Sequence, residues 1–318
     1  MTNTTFSNLN IVCLAGGVGG AKLADGLTQI VPPERLTIIV NTGDDFSHWG
    51  LTICPDLDTV LYTLAGVANP ETGWGRAGES WRVLDEVAQL GGPDWFRLGD
   101  LDLGLHLTRR HWLHEGKSLT AVTRHLRQQF NVQCELLPMS DQPAPTLIET
   151  ADEMLSFQTW FVRERWQPAV KKVHLPDDVR ATPQVMPKLE TADIVLIAPS
   201  NPFVSIDPIL NVYPIREMVT DLPQAVIAVS PIVGGRAVKG PAAKLMQEMG
   251  LPVTAQAVAD YYGDLLDGFV YDQQDPPGSV TAEGLQTLRL DTIMPTATER
   301  RRVAEQVLGF GQTVASSQ

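Results

Sequence analysis

Three features of the sequence predict an α/β fold: a Rossmann-like, mostly parallel sheet with helices on both faces and an inserted α+β subdomain. First, four apolar, β-branched runs at 10–15, 36–40, 194–198 and 225–229 have the length and composition of buried strands. Second, each stops at a glycine-rich or polar loop, as in open parallel sheets whose ligands gather at the strand ends. Third, the stretch between the second and third runs turns tryptophan-rich, with mixed helical and alternating segments. Residues 1–70 and 186–318 therefore read as the core and 71–185 as the insertion.

In chain order, the 10–15 run meets the cluster Gly16-Gly17-Val18-Gly19-Gly20 and then a helical pattern over 21–27. The 36–40 run follows the Pro32-Pro33 break and ends at Asn41-Thr42-Gly43-Asp44-Asp45, completing a βαβ unit. Within the insertion, 146–150 and 157–161 alternate in polarity. The two later runs close on Pro199-Ser200-Asn201-Pro202 and Ser230-Pro231. Residues 298–308 are charged on one face and read as a surface helix, and 316–318 as a frayed end.

At 318 residues the chain can bury a large single core. Its net charge of −13 argues against nucleic-acid or anionic-membrane partners, which need a basic surface. Cys13, Cys54 and Cys134 are widely spaced and odd in number, which fits reduced cytoplasmic thiols and no zinc site. No run approaches the ~18 apolar residues of a membrane span, and residues 1–9 lack the charged start and apolar stretch of a signal peptide.

The glycine cluster sits where a strand becomes a helix, a place that favours a phosphate. It is not a Walker A loop, because Lys22 is followed by Leu23 rather than Ser or Thr. Nor is it a full dinucleotide fingerprint, since Lys22 stands where the third glycine belongs. The plain structural alternative is a tight turn that lets the helix pack on the sheet. Asp44, Asp45, Asp56 and Asp58 place four carboxylates within fifteen positions, which is costly unless a cation or ligand collects them. Helix capping by Asp56 or Asp58, or ribose binding by Asp44, would account for one of them but not for four.

The motifs GGVGGAKL, NTGDD, ICPDLDTVLYTLAG, GWG, WFRLGD, LLPMSD, FQTWFVRER, APSNPFVSIDPIL, AVSPIVGG, KGPAAKLM and VADYYGDLLDGF resemble the 2-phospho-L-lactate transferase family of coenzyme F-420 biosynthesis. The resemblance runs from residue 10 to about 295. It implies a Mg²⁺-dependent transfer of a phosphorylated three-carbon acid, lactyl or enolpyruvyl, from a guanosine diphospho-donor to the ribityl hydroxyl of the deazaflavin Fo, releasing GMP. A homodimer is the family expectation. By the same resemblance, Asp44, Asp45 and Asp58 hold the metal, Asp45 and Asp58 are catalytic, and Asp58 is the candidate general base. Ser200, Asn201, Ser205 and the 230–240 loop, with Ser230 and Gly240, would cradle guanine and phosphate. Gly16, Gly17, Gly19, Gly20 and Lys22 would face the deazaflavin or the transferred phosphate, and Asp56, Thr59, Asp100, His106 and Lys244 would complete the substrate site.

One position departs from the family pattern, which reads LGDRD: here Leu101 replaces the arginine, with Arg97, Arg109 and Lys117 as possible substitutes. His48 and His106 read first as hydrogen-bonded buried histidines, and Trp74, Trp81 and Trp95 as core or lid packing rather than a stacking platform. Two other functions stay open at this point. One is a nucleotide-binding regulator like the related gluconeogenesis-factor family, and the other is a nicotinamide dehydrogenase.

Overall fold

The computed structural model describes residues 6–317; the expected features at residues 1–5 and Gln318 lie outside them. Seven strands form the central sheet: β1 (Ile11–Ala15), β2 (Leu36–Val40), β3 (Glu135–Pro138), β4 (Ile194–Ile197), β5 (Ala225–Val229), β6 (Gly268–Asp272) and β7 (Gln286–Leu290). Their order is β3-β2-β1-β4-β5-β6-β7, and every neighbouring pair is parallel. The chain starts in the middle, builds to one edge, then returns to the other side of β1. That reversal opens a crevice beyond the carboxyl ends of β1 and β4.

Alternate strand residues serve opposite faces, and both faces are covered, which is why the runs are apolar throughout. Val12, Leu14, Ile39, Val195 and Ile197 pack under helices carrying Val185, Leu189, Ile215, Val219 and Val258. Ile11, Cys13, Ile38, Val40 and Leu196 pack under α1 (Gly17–Thr28), α2 (Pro55–Leu64) and the C-terminal helix Ala297–Ala315. That last helix is longer than the sequence suggested. It buries Val303, Ala304, Val307, Leu308 and Val314, because its apolar stripe continues past 308 against the sheet.

The 71–185 segment is less separate than its texture implied. It carries α3 (Arg82–Gln89), α4 (Asp100–His114), α5 (Leu119–Gln129) and the antiparallel strands Leu147–Glu149, Met154–Ser156 and Lys172–His174. It also supplies β3, which pairs with β2 as the edge of the main sheet. Four residues ending in proline give too short a run for periodicity to reveal. Residues 159–163 form a π-helical turn rather than a strand, with Trp160 fully buried.

The glycine cluster is mostly helix: α1 begins at Gly17, so only Gly16 is loop. Close packing dictates most of its glycines. A Cβ on Gly19 would lie 2.3 Å from the Pro199 carbonyl oxygen, and one on Gly20 would lie 2.8 Å from Ser200 Oγ. On Gly16 it would lie 2.6 Å from Asp56 Oδ2 and 2.7 Å from Ser205 Cβ. Gly17 alone needs the left-handed region, at φ +59°. Because Pro199 offers rigid backbone, Gly19→Ala is expected to cost about 3 kcal/mol, read as a lower urea midpoint at unchanged slope.

Candidate functional site

The site is organised by Asn41, which is fully buried at the end of β2. Its amide nitrogen donates to Asp44 Oδ1 at 3.0 Å, Asp56 Oδ2 at 3.0 Å and the Val204 carbonyl at 3.2 Å; its oxygen accepts the Gly43 N–H at 2.7 Å. One side chain thus joins the β2 loop, the first turn of α2 and the loop after β4. Asp44 Oδ2 accepts from Gln158 Nε2 at 3.3 Å, so the insertion also reaches the cluster.

Burial pushes the Asp44 carboxyl well above its usual range, and the neighbouring Asp56 pushes it further. Burial likewise raises Asp56, to about 6, against the restraint of Asn41 and of the Gly17 N–H that it accepts. Asp56 therefore already lies on the N-terminus of α1, the place a phosphate was expected to occupy. Two buried carboxylates bridged by one amide form a site that a cation would relieve.

The expected trio of Asp44, Asp45 and Asp58 does not converge. Among the described residues no three His, Cys, Asp or Glu side chains form a metal-ligand set. Asp58 is held by Arg109 through both oxygens, with Nη1–Oδ2 at 3.0 Å and a second contact from Nη2 to Oδ1. Asp45 turns toward Cys54 beside this pair, and burial raises its carboxyl. The reason is helical: residues two apart on α2 face different sides, so Asp56 meets the crevice and Asp58 meets α4. Arg109 Nη1 also lies 3.1 Å from His106 Nδ1, His106 Nε2 lies 3.4 Å from Asp102 Oδ1, and Tyr62 donates to Asp102 Oδ1 at 2.6 Å. His106 is thus buried between Arg109 and Asp102, with its Nε2 lacking a hydrogen-bond partner, and each Asp58 oxygen accepts from Arg109.

Other expected contributors are occupied in holding the fold. The Ser200 hydroxyl donates to the Gly16 carbonyl at 2.8 Å and receives the Gly16 N–H at 3.3 Å. Ser230 forms a turn with Ile232, donating to its carbonyl at 2.9 Å and accepting its N–H at 3.1 Å. Lys244 pairs with Glu248 one helical turn on. Gly240 stands in open space at φ +73°. Asp100 binds Ser80 and the Val83 N–H, tying α4 to α3, and Thr59 is buried within α2.

Three expected residues keep capacity at the crevice. Asn201 accepts from Phe203 N–H at 3.0 Å while its amide nitrogen has no partner, and Ser205 is buried against Gly16. Lys22, half-buried on α1, has no acid partner among the described residues. Burial lowers its pKa, as do Arg300 and Lys239 nearby.

Leu101 is 44% exposed, and its N–H donates to Glu79 Oε2 at 2.7 Å. Of the three possible substitutes for the missing arginine, Arg109 is spent on Asp58, and Arg97 lies over the Trp81 ring at 4.3 Å. Trp95 packs with Phe46, Phe96 and His48, as core residues do. A recess of about 360 Å³ between β7 and the C-terminal helix has its Arg289 bonded to backbone carbonyls. Asn41 stood within the NTGDD stretch but was not singled out as a bridge, and nothing in the sequence pointed to Gln158.

Among solved structures, the chain resembles a UPF0052-family protein from Bacillus halodurans, with a TM-score of 0.63 and 18% identity over 95% of this chain and all of the other, which shows the fold alone. Among curated proteins it is 40% identical to a phosphoenolpyruvate transferase of Kitasatospora aureofaciens over 96% of this chain and 99% of that one. It is 39% identical to a 2-phospho-L-lactate transferase of Methanosarcina acetivorans over 96% and 100% of the two chains. Residues 11–308 match the family described as 2-phospho-L-lactate transferase CofD, and with relatives this similar over nearly their full length, the chain belongs to that family.

Proposed function

We propose that this chain transfers a phosphorylated three-carbon acid, 2-phospholactyl or enolpyruvyl phosphate, from a guanosine diphospho-donor to the ribityl hydroxyl of Fo, releasing GMP. The observation that carries this reading is the Asp44–Asn41–Asp56 bridge set against the first turn of α1. Relatives named for transfer of these two acids support the choice of reaction.

The acceptor oxygen bonds to the phosphorus bearing the three-carbon acid as the bond from that phosphorus to the GMP oxygen breaks. The electron pair leaves with GMP and the hydroxyl proton passes to solvent. Such transfers ask the protein mainly to position groups and stabilise charge, so no nucleophilic side chain is needed. Mg²⁺ held by Asp44 and Asp56 would supply charge stabilisation at the phosphoryl oxygens. Around it, Asn41 and Gln158 fix the two carboxylates, and the unpartnered amide of Asn201 and the ammonium of Lys22 are available to the donor's anionic groups.

Incubation with Fo, Mg²⁺ and each guanosine diphospho-donor is expected to release GMP and give a charged deazaflavin product with one donor. Donor binding without turnover on either donor would return the chain to the regulatory alternative.

A further inference from the structure

After β4 the chain makes a π-helical turn, Pro202–Ile206, in which the N–H groups of Ser205 and Ile206 both reach the Asn201 carbonyl, at 3.0 and 3.1 Å. Such turns are rare and recur at functional sites. This one presents three groups to the crevice: Asn201 with its unpartnered amide, the Val204 carbonyl that accepts from Asn41 at 3.2 Å, and Ser205 against Gly16. We propose that Tyr261 is a positioning residue for this turn, acting through Asp207, and that the brace sets the fit of the donor's nucleotide. The effect on the donor rests on the transferase reading, whereas the bracing of the turn does not.

Tyr261 grips the turn at both ends. Its ring meets the Phe203 ring edge-on, with centres 4.7 Å apart and planes at 70°, the geometry aromatic pairs prefer. Its hydroxyl donates to Asp207 Oδ2, on the residue that follows the turn directly. One side chain of the helix Ala255–Tyr262 thus holds a residue near the start of the turn and the residue after its end. Core filling does not explain it. Tyr262 is buried in the core at 7% exposure, whereas Tyr261 is 36% exposed.

Asp207 is a fixed point. Arg216 Nη2, from the helix Ile215–Asp221, donates to its other oxygen, Oδ1, at 3.0 Å, so each oxygen has a donor and the direction of the carboxylate is set. Burial raises this carboxyl, against the hydrogen bond from Tyr261 and the charge of Arg216. Without the tyrosine hydroxyl, Oδ2 would lose its donor in a mostly buried place.

The brace reaches the carboxylate pair by two routes. Through the turn it holds the Val204 carbonyl under Asn41, the residue that bridges Asp44 and Asp56. Through the helix Asp207–Asn211 it holds Pro208 against the loop that carries Asp44, where a Cβ on Gly43 would lie 3.1 Å from Pro208 Cβ. The turn keeps its own hydrogen bonds when Tyr261 is removed. The chain should therefore stay folded while Asn201 and Ser205 lose their fixed places.

The test compares the full native chain with Tyr261→Phe, Tyr261→Leu, Asp207→Ala and the double variant of Tyr261→Phe with Asp207→Ala. GDP, which carries the donor's base and both phosphates, is titrated calorimetrically, and amide hydrogen exchange is followed over 201–207. Tyr261→Leu, which loses ring and hydroxyl, is expected to weaken GDP binding about tenfold, and Tyr261→Phe, which keeps the ring on Phe203, about threefold, the scale of an aromatic pair and of one hydrogen bond. Exchange should quicken over 201–207 and stay unchanged in β1, β4 and β5. Tyr261→Phe should add no loss to Asp207→Ala, because the hydroxyl's acceptor is already gone. Unchanged GDP affinity in Tyr261→Leu overturns the proposal, as does absence of GDP binding to the native chain. Faster exchange throughout the sheet gives Tyr261 a merely structural role and overturns it too, and additive losses in the double variant overturn the route through Asp207. In turnover the donor KM should rise in Tyr261→Leu with the Fo KM unchanged. Weakened GDP binding with no GMP release from either donor keeps the brace and loses the reaction, whereas turnover with an unaltered donor KM in Tyr261→Leu does the reverse.

Discussion

Arg109→Ala is expected to lower the unfolding free energy by about 3–5 kcal/mol, the cost of leaving a buried charge without its partner. Arg109 is 2% exposed and grips both oxygens of Asp58 while also donating to the Thr52 carbonyl at 3.2 Å. Without it, Asp58 and the nearby Asp45 would share an interior with no cation. Asp58→Asn fails from the other side by stranding the guanidinium, so a loss of activity in that variant reports the fold as much as the site. The discriminating protein is the double variant Asp58→Leu with Arg109→Met. It removes both charges at similar volume and should recover most of the lost stability. Urea midpoints of the native protein, the two single variants Asp58→Leu and Arg109→Met, and the double variant measure the coupling, and additive single effects would show that the pair does not hold α2 against α4. Arg109→Lys should rescue poorly, since an ammonium cannot form the two-pronged contact.

This ion pair also marks the limit of what the sequence disclosed. β1, β2, β4 and β5 were legible because strands covered on both faces must be apolar at every position. β3, β6 and β7 were not. Glu135–Pro138 is short, Gly268–Asp272 opens on glycine and ends on an acid, and Gln286–Leu290 alternates polar residues along an edge. The four aspartates were visible as an unusual density of charge, but which of them share a space depends on partners far along the chain. Arg109 lies 51 residues from Asp58, and Gln158 lies 114 from Asp44. Gly16, Gly19 and Gly20 invited a phosphate-loop reading because glycine permits both close ligand approach and close helix packing. Only the positions of Pro199, Ser200 and Ser205 show how far packing accounts for them.

Asp56→Asn is expected to lower kcat roughly 10²–10³-fold, the scale of a lost electrostatic contact to a transferring group, while making the metal-free protein more stable at neutral pH. The sign follows from the raised carboxyl, which burial pushes from 3.8 to about 6. Between those values the folded chain binds the proton and the unfolded chain does not, so this group's stabilising effect is complete below about pH 4. It is lost as pH rises to about 6, after which the group's contribution is flat. For Asp56 alone that loss is ~3 kcal/mol, and Asp44, shifted the same way by burial and by Asp56, adds to it. The asparagine variant should therefore show a shallower fall in urea midpoint from pH 4 to 7 than the native protein. Added Mg²⁺ should raise the native midpoint at pH 7.5 and leave the variant's nearly unchanged, because a cation binding only the folded state stabilises by mass action. A native protein insensitive to both pH and Mg²⁺ over this range would mean that the Asp44–Asp56 pair is not the seat of the cation. In that case the loss of turnover in the variant would need another cause, such as the freed N–H of Gly17 at the start of α1.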